Sequence, residues 1–208
     1  MTDFLLVRHG ETEWHAENRY AGRSDVALTE RGRRQGEALG AWAAGQGLDA
    51  VMCSPLSRAR LTARPAAAAL ELPVQVDERL TEVGFGRGEG LTRAEMAEAF
   101  PAELAAFLDD PVAHHLPGGE DPAAAAARAV ACLTETARDL PGGRVLVVAH
   151  STLLRLALCA LLGIPLSRYR VVFPALENGA LTELRLREGR ASLLRLNAPV
   201  TAAAPTRA

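Results

Sequence analysis

The sequence predicts one α/β domain of three layers, in which a mostly parallel central sheet lies between helices. Strand-like apolar runs alternate with helix-like segments along the chain, as expected for parallel strands joined by helices. The length of 208 residues is that of one ordinary domain. Since neither an internal repeat nor a linker-like composition divides the chain, we assign this domain to residues 1–198.

The strands are predicted from short apolar runs and from one turn signal. Residues 4–7, 50–53 and 145–149 are continuous apolar runs, which suit strands buried on both faces. Near the end of the chain, Glu188 and Gly189 separate two further strand-like segments and predict a β-hairpin. These segments are residues 180–187 and 190–197.

The first two helices are predicted from apolar periodicity and from signals at their N-termini. Thr29 opens a helical stretch that runs to about residue 45 and carries an apolar stripe. Ser57 is a candidate N-cap for a second helix that runs to about residue 70. Pro65 lies inside that stretch and should kink or shorten the helix.

Two more helices are predicted in the second half of the chain. Asp121 followed by Pro122 is typical of a helix start, because it combines an N-cap residue with proline at the first helical position. This helix is expected to run through residue 140. A further helix is expected over residues 153–162, directly after a predicted strand.

The remaining segments are interpreted as a lid and a tail. Residues 92–121 consist of short helical pieces broken by prolines, and we expect them to form a small helical lid over one end of the sheet. Residues 199–208 are rich in Ala, Thr and Pro, and we expect them to form a disordered tail.

The composition excludes several classes of function. A net charge of −2 argues against partners such as nucleic acid or an anionic membrane. All 23 basic residues are arginines, which removes every lysine-based mechanism. No apolar run reaches the ~18 residues that span a membrane, and the N-terminus lacks the basic segment of a signal peptide. The three cysteines form no Cys-x-x-Cys pair, so a cytoplasmic location is expected.

Two of the predicted strands end in histidine. The first strand leads into Arg8 and His9, and the strand before the last predicted helix leads into His150. The second strand leads into a helix that begins near Arg58. Because ligands of open α/β sheets bind beyond the carboxyl ends of the strands, we expect two imidazoles and two guanidiniums to meet at one edge.

This combination of side chains favours chemistry on a phosphate group. The guanidinium of arginine is a planar fork of donors that matches phosphate oxygens, and a neutral imidazole among arginines can attack phosphorus. A leaving alkoxide needs a proton, and Glu82, in a glycine-broken loop segment, is the candidate acid. Taken by itself, Glu82 is more typical of a solvated loop glutamate.

Four short motifs surround these candidate residues and follow one another along the chain. They read LVRHGET, SPLSRA, LTEVGFG followed by EGLT, and VVAH, at residues 6–12, 54–59, 80–92 and 147–150. Arg-His-Gly alone is a weak signal, whereas four ordered motifs are specific. Together they resemble those of the histidine phosphatase (phosphoglycerate mutase-like) superfamily, from about residue 4 to residue 182.

The resemblance implies a role for each matching residue. His9 corresponds to the histidine that becomes phosphorylated in this family, and Glu82 corresponds to the usual proton donor. Arg8, Arg58 and His150 correspond to the pocket that holds the phosphate around the nucleophile. The resemblance also implies that no metal and no other cofactor is needed, and a homodimer is common among family members.

Three further residues are expected to bind the substrate phosphate: His15, Gly22 and Ser151. The family usually carries Asn at the place of His15 and Gly at the place of Ser151; it also commonly has Gln where this chain has Leu61. Backbone donors at a helix N-terminus do not require glycine, so Ser151 is compatible with phosphate binding. Two interpretations of His15 stay open: a neutral imidazole that donates one hydrogen bond, or an imidazolium that binds phosphate as a cation.

The expected function is a metal-independent phosphomonoesterase that acts on a small phosphorylated metabolite. Phosphoglycerate mutase-type phosphoryl transfer is the first alternative, and a non-catalytic phospho-ligand binding protein is the second. The segment that carries Glu82, residues 80–92, is called the acid loop. Mutases of this type carry a sizeable insertion after it, whereas here about thirty residues separate Leu91 from Asp121, with Arg93 as their only arginine. The substrate cannot be read from the sequence. His114 and His115 are expected on the lid, facing substrate or solvent rather than a metal.

Overall fold

The computed structural model of the protein describes residues 1–200 and contains one six-stranded sheet. The strands are β1 Thr2–Arg8, β2 Ala50–Cys53, β3 Val74–Val76, β4 Arg144–Ala149, β5 Leu181–Arg187 and β6 Arg190–Ala198. Their order is β3-β2-β4-β1-β5-β6. The first four run parallel to one another, whereas β5 and β6 pair in antiparallel fashion. The predicted α/β domain with a mostly parallel sheet is confirmed.

Seven α-helices accompany the sheet within the described residues. They are α1 Glu30–Ala43, α2 Ser57–Ala69, α3 Arg93–Ala99, α4 Pro101–Asp109, α5 Pro122–Asp139, α6 Ser151–Leu162 and α7 Tyr169–Val172. As predicted, Asp121 caps α5: its carboxylate accepts a hydrogen bond from the N–H of Ala123 at 2.8 Å.

Both faces of the sheet are buried. Phe4 and Leu6 of β1 belong to a core with α5 and α6, whereas Leu5 and Val7 belong to a second core with α1 and α2. Successive side chains of a strand point to opposite faces, so a strand covered on both sides is a continuous apolar run. This arrangement is the physical origin of the runs from which β1, β2 and β4 were predicted.

Helix α2 continues through Pro65 to Ala69, so the prediction that Pro65 shortens this helix is wrong. Gly40 of α1 lies opposite the proline, and a Cβ atom at Gly40 would come within 2.8 Å of the Cβ atom of Pro65. The two helices therefore approach closely here. The burial of Ala63, Ala66 and their neighbours against α1 offsets the backbone hydrogen bond that Pro65 cannot donate.

Two other local features differ from the prediction. Ser57 is the first residue of α2 rather than its N-cap, which is Leu56. The carboxylate of Asp25, from a separate loop, accepts hydrogen bonds from the Ser57 N–H at 3.0 Å and from its hydroxyl at 2.7 Å. Strand β3 was not predicted, because three residues are too few for an apolar pattern to be recognised.

Helices α3 and α4 build a small core of their own near the acid loop. Its buried members are Met96, Phe100, Leu104, Phe107 and Leu116. Tyr20, Phe85 and Leu91 pack against this cluster from outside the two helices. Because Phe85 follows Glu82 by three residues, the helical segment is packed directly against the loop that carries the candidate acid.

The end of the chain is described only in part. Val200 packs against the core formed with α1 and α2, so the predicted tail does not begin at residue 199 as a free segment. Residues 201–208, the rest of that prediction, lie outside the described residues. Within residues 1–200, no helix has the length and apolar character needed to cross a membrane.

Candidate active site

His9 lies just beyond β1 and is nearly inaccessible, with 6% of its surface exposed. Its Nδ1 lies 2.7 Å from the carbonyl oxygen of Gly10, to which only a protonated Nδ1 can donate. This contact assigns the remaining lone pair of the neutral ring to Nε2. Burial, followed by the positive charges of Arg58 and Arg8, holds the pKa of His9 well below its usual 6.5. The ring is therefore neutral at neutral pH.

His150 follows β4 and is fully buried beside His9, with 5.1 Å between the two ring centroids. Its Nε2 forms a hydrogen bond of 2.7 Å with the hydroxyl of Ser54, at the end of β2. Nδ1 has no hydrogen-bond partner among the described residues. Burial and then the neighbouring His9 hold the pKa of His150 well below its usual value. Parallel pairing of β1, β2 and β4 brings these groups to one edge.

Arg8 and Arg58 are the two cations of this edge, the first half-buried and the second buried. Arg58 donates to the carbonyls of Ser24 at 2.6 Å and Gly22 at 2.7 Å, and Arg8 donates to the carbonyl of Leu176 at 2.7 Å. Burial lowers the pKa of Arg8 to about 10, which leaves it charged at neutral pH. In the part of the chain that the structure describes, neither guanidinium forms an ion pair, and the Nε of each has no partner. Two arginines that lack a direct ion pair within residues 1–200, at the end of the strands, suit an anionic ligand.

The loop that holds Arg58 is fixed by Glu89, which sequence reasoning missed. Its carboxylate accepts hydrogen bonds from the backbone N–H groups of Arg23, Ser24 and Phe85. Gly22 has a φ of +49°, and a Cβ atom at this position would collide with the Glu89 carboxylate. Gly22 lines the cavity, and its carbonyl accepts a hydrogen bond from Arg58. The only sequence signal for Glu89 was its place in the EGLT motif.

Glu82 is buried, and the first turn of α6 holds its carboxylate. Oε2 accepts from the N–H of Thr152 at 3.1 Å, and Oε1 accepts from Leu153 and Val83 at 2.9 Å each. The N-terminus of a helix offers free N–H donors and a partial positive charge to such a group. Glu82 is therefore a fixed group of the cavity wall and not a solvated loop residue.

An ion pair that sequence reasoning also missed holds the acid loop from behind. Arg128 of α5 pairs with Glu120 through contacts of 2.8 and 3.0 Å. The same guanidinium donates to the carbonyls of Arg79 at 2.6 Å and Glu82 at 3.4 Å, while Glu120 accepts from the N–H of Gly84 at 3.3 Å. The pair thus spans the backbone on both sides of Glu82.

His15 contacts protein groups through both ring nitrogens. Nε2 lies 2.5 Å from the Nη2 atom of Arg8, and Nδ1 lies 2.8 Å from the hydroxyl of Thr12. Because a guanidinium can only donate, Nε2 is the acceptor, and the neutral ring carries its proton on Nδ1, which faces the hydroxyl and carbonyl oxygens of Thr12. Burial and then Arg8 lower the pKa of His15. The structure favours the neutral interpretation, with His15 supporting Arg8 rather than donating directly to phosphate.

These groups surround one cavity of about 870 Å³. Among the predicted residues, its lining includes Arg8, His9, His15, Gly22, Arg58, Glu82 and Ser151. Ser151 is the first residue of α6, and His150 lies directly behind the cavity wall. His114 and His115 are exposed on the lid segment and do not line this cavity. Among residues 1–200, no cluster of three or more His, Cys, Asp or Glu side chains is placed to hold a metal ion.

A sheet edge with two adjacent imidazoles, two arginines without ion pairs and a carboxylate held by a helix N-terminus is typical of an enzyme that acts on phosphate groups. Comparison with known families agrees with this class. Residues 4–199 match the family described as the histidine phosphatase superfamily, branch 1, and the chain belongs to this family.

Relatives and solved structures extend the match over nearly the whole chain. Phosphoserine phosphatase 1 of Hydrogenobacter thermophilus is 32% identical over 95% of this chain and 92% of its own length. A protein of Escherichia coli O1:K1 named "Probable phosphoglycerate mutase GpmB" is 34% identical over 79% of this chain and 77% of its own. The mycobacterial glucosyl-3-phosphoglycerate phosphatase Rv2419c is 28% identical, with a TM-score of 0.86 over 94% of this chain and 98% of that structure. The chain is a histidine phosphatase, an enzyme of the hydrolase class.

Proposed function

We propose that this chain hydrolyses phosphomonoesters of small metabolites through a phosphohistidine on His9, with Glu82 as general acid and then general base. The observation that carries this proposal is the hydrogen bond from His9 Nδ1 to the Gly10 carbonyl. It leaves the lone pair on Nε2, in a cavity lined by Arg8 and Arg58, each of which has an Nε atom without a partner in the described residues.

In the first step, Nε2 of His9 attacks phosphorus in line with the ester oxygen. A phosphorus–nitrogen bond forms, the phosphorus–oxygen ester bond breaks, and the carboxyl group of Glu82 gives its proton to the departing alcohol oxygen. Arg8 and Arg58 accept the charge of the transferred phosphoryl oxygens. His150 is buried behind the cavity wall, so its role is to pack beside His9, with its Nε2 bonded to the Ser54 hydroxyl.

In the second step, water attacks the phosphohistidine. The Glu82 carboxylate takes a proton from this water, the phosphorus–nitrogen bond breaks, and inorganic phosphate leaves. The lone pair returns to Nε2 of His9, and Glu82 is again a carboxylic acid. Both steps use one carboxyl group, which three backbone donors hold in a fixed position.

The assay uses para-nitrophenyl phosphate in the presence of EDTA, with His9→Ala as the control. We expect turnover by the wild-type enzyme and essentially none by the variant. Rapid quenching with a labelled substrate should trap a phosphoramidate that is labile in acid and stable in base. If turnover is good but no such species forms, water attacks the ester directly and the phosphohistidine is rejected.

Phosphoglycerate mutase activity is the second candidate, because one relative carries that name. It is tested by following the interconversion of 2- and 3-phosphoglycerate under the same conditions. Release of inorganic phosphate without interconversion supports the phosphatase. Interconversion that is faster than phosphate release supports the mutase. Ligand binding without either reaction identifies a non-catalytic phospho-ligand binding protein.

A further inference from the structure

Two further arginines line the cavity on the side of α6 and α7. They are Arg155 and Arg170, and both are half-buried. Arg155 donates from Nε to the Ser151 carbonyl at 3.2 Å and from Nη1 to the Phe173 carbonyl at 3.3 Å. Within residues 1–200, its Nη2 makes no hydrogen bond to protein. One face of this guanidinium fork is therefore free for a ligand.

Neither arginine is neutralised by the described part of the protein. Arg155 and Arg170 form no ion pair within residues 1–200. The guanidinium of Arg155 lies over the ring of Tyr169, and that of Arg170 lies over the ring of Phe107, at 5.2 and 4.5 Å from the ring centroids. Aromatic faces orient a cation but do not cancel its charge. Burial lowers the pKa of Arg155, in keeping with a charge that lacks a partner.

The charge of the whole cavity shows the same imbalance. Six arginines line it, against two glutamates: Arg8, Arg19, Arg58, Arg93, Arg155 and Arg170 against Glu17 and Glu82. Arg19 is already paired with Glu17 and Glu95. Arg8 and Arg58 serve the transferred phosphoryl group in the proposed reaction. Arg155 and Arg170, on α6 and α7, have no role in that reaction. The lid segment contains only one arginine, but these two residues supply the cavity with enough positive charge for a second anionic group.

The position of Arg155 relative to Glu82 indicates which part of the substrate it meets. The backbone of Thr152 and Leu153 holds the Glu82 carboxylate, and Arg155 follows on the next turn of the same helix. The proton of Glu82 goes to the oxygen of the leaving alcohol. Arg155 therefore belongs to the same helix that holds the proposed acid, and both side chains line the cavity.

We propose that Arg155 and Arg170 form an anion subsite for the leaving group, and that the preferred substrates carry a second anionic group, a carboxylate or a second phosphate, on the alcohol. This inference rests on the proposed phosphatase reaction. A guanidinium fork with a free edge binds a carboxylate or phosphate through charge-assisted hydrogen bonds, which are stronger in a partly buried site.

The test compares three substrates on one scaffold: the phosphate esters of 3-hydroxypropanoate and 3-hydroxypropanamide, and propane-1,3-diol bisphosphate. We expect kcat/KM of the wild-type enzyme to be roughly ten- to hundredfold higher for an anionic member than for the neutral amide. Preference for the propanoate ester assigns the subsite to a carboxylate, and preference for the bisphosphate assigns it to a second phosphate.

Variants of Arg155 test whether this residue causes the preference for anionic over neutral substrates. Arg155→Met should lower the ratio of anionic to neutral kcat/KM by about tenfold, and Arg155→Lys, which keeps the charge, should retain part of it. Arg60→Met is the matched control, because Arg60 is an exposed arginine of α2 that does not line the cavity, and its ratio should equal that of the wild type. Arg170→Met provides a second variant should Arg155→Met fail to fold.

The outcomes separate this inference from the proposed function. Hydrolysis of para-nitrophenyl phosphate with equal kcat/KM for the anionic and neutral esters overturns the subsite and leaves the phosphatase reaction intact. Equal losses for all three esters in Arg155→Met would place this arginine on the transferred phosphoryl group and also overturn the subsite. Failure to hydrolyse any phosphomonoester rejects both proposals.

Discussion

The Arg128–Glu120 pair offers a test of how the acid loop positions Glu82. Arg128→Met removes the ion pair and the hydrogen bonds to the carbonyls of Arg79 and Glu82. The two side chains of the pair are 19% and 15% exposed, so solvent only partly replaces the lost contacts. Hydrogen bonds to charged groups contribute about 1.5–3 kcal/mol each, and the long contact to Glu82 contributes least. We expect the free energy of unfolding to fall by about 2–3 kcal/mol, which is roughly 5–10 °C in Tm for a domain of this size.

The effect on catalysis should depend on the leaving group. A displaced Glu82 protonates an alkoxide poorly, whereas para-nitrophenolate leaves with little help. Arg128→Met should therefore lower kcat for an alkyl phosphate by roughly ten- to hundredfold, and for para-nitrophenyl phosphate by only a few-fold. The assay measures kcat for aryl and alkyl phosphates of graded leaving-group pKa. Glu82→Gln is the reference for the complete loss of the acid.

Arg185→Met is the matched control for this prediction. Arg185 forms a comparable two-point ion pair with Asp3, at 2.7 and 2.8 Å, near the opposite end of β1 from His9. Its removal should lower Tm by a smaller amount, because this arginine is more exposed, and should not change the dependence on the leaving group. Equal losses for good and poor leaving groups in Arg128→Met would refute the positioning role and leave a purely structural one.

Two other predictions follow from the buried histidines. The pKa values of His9 and His150 lie well below 6.5 in the folded enzyme, so just below pH 6.5 only the unfolded chain binds these protons. The free energy of unfolding should therefore fall as the pH decreases below 6.5, by up to about 1.4 kcal/mol per pH unit for each histidine. Above pH 6.5 this contribution to stability is fully retained. Denaturant titrations from about pH 4.5 to 7.5 check this, and a slope for His9→Asn equal to that of the wild type would contradict it. The neutral His15 beside Arg8 predicts that KM depends on pH in the same way in the wild type and in His15→Asn. The measurement runs from about pH 5.5 to 8.5 and is corrected for the second ionisation of the substrate phosphate near pH 6. A wild-type KM that climbs with pH where the variant stays flat would support the charged form.

Local patterns in the chain were sufficient to predict which groups meet at one edge of the sheet. The strands that carry His9 and His150 are buried on both faces, so each is a continuous apolar run whose end is easy to see. The ends of parallel strands meet at one edge, and this rule brings the two imidazoles together without knowledge of any contact. Glu82 and Arg58 were found because they stand in short motifs of fixed spacing.

Only the tertiary structure decided how these groups are held and what else faces the substrate. Arg128 is 46 residues from Glu82, and Arg155 is one of several arginines on helices whose spacing does not show which ones turn toward the cavity. Pro65 remains helical because α2 packs closely against α1, which approaches it at Gly40. Each of these outcomes depends on a contact between segments far apart in the chain. Local propensity and periodicity describe one segment at a time, so the identity of the packing partner was beyond their reach.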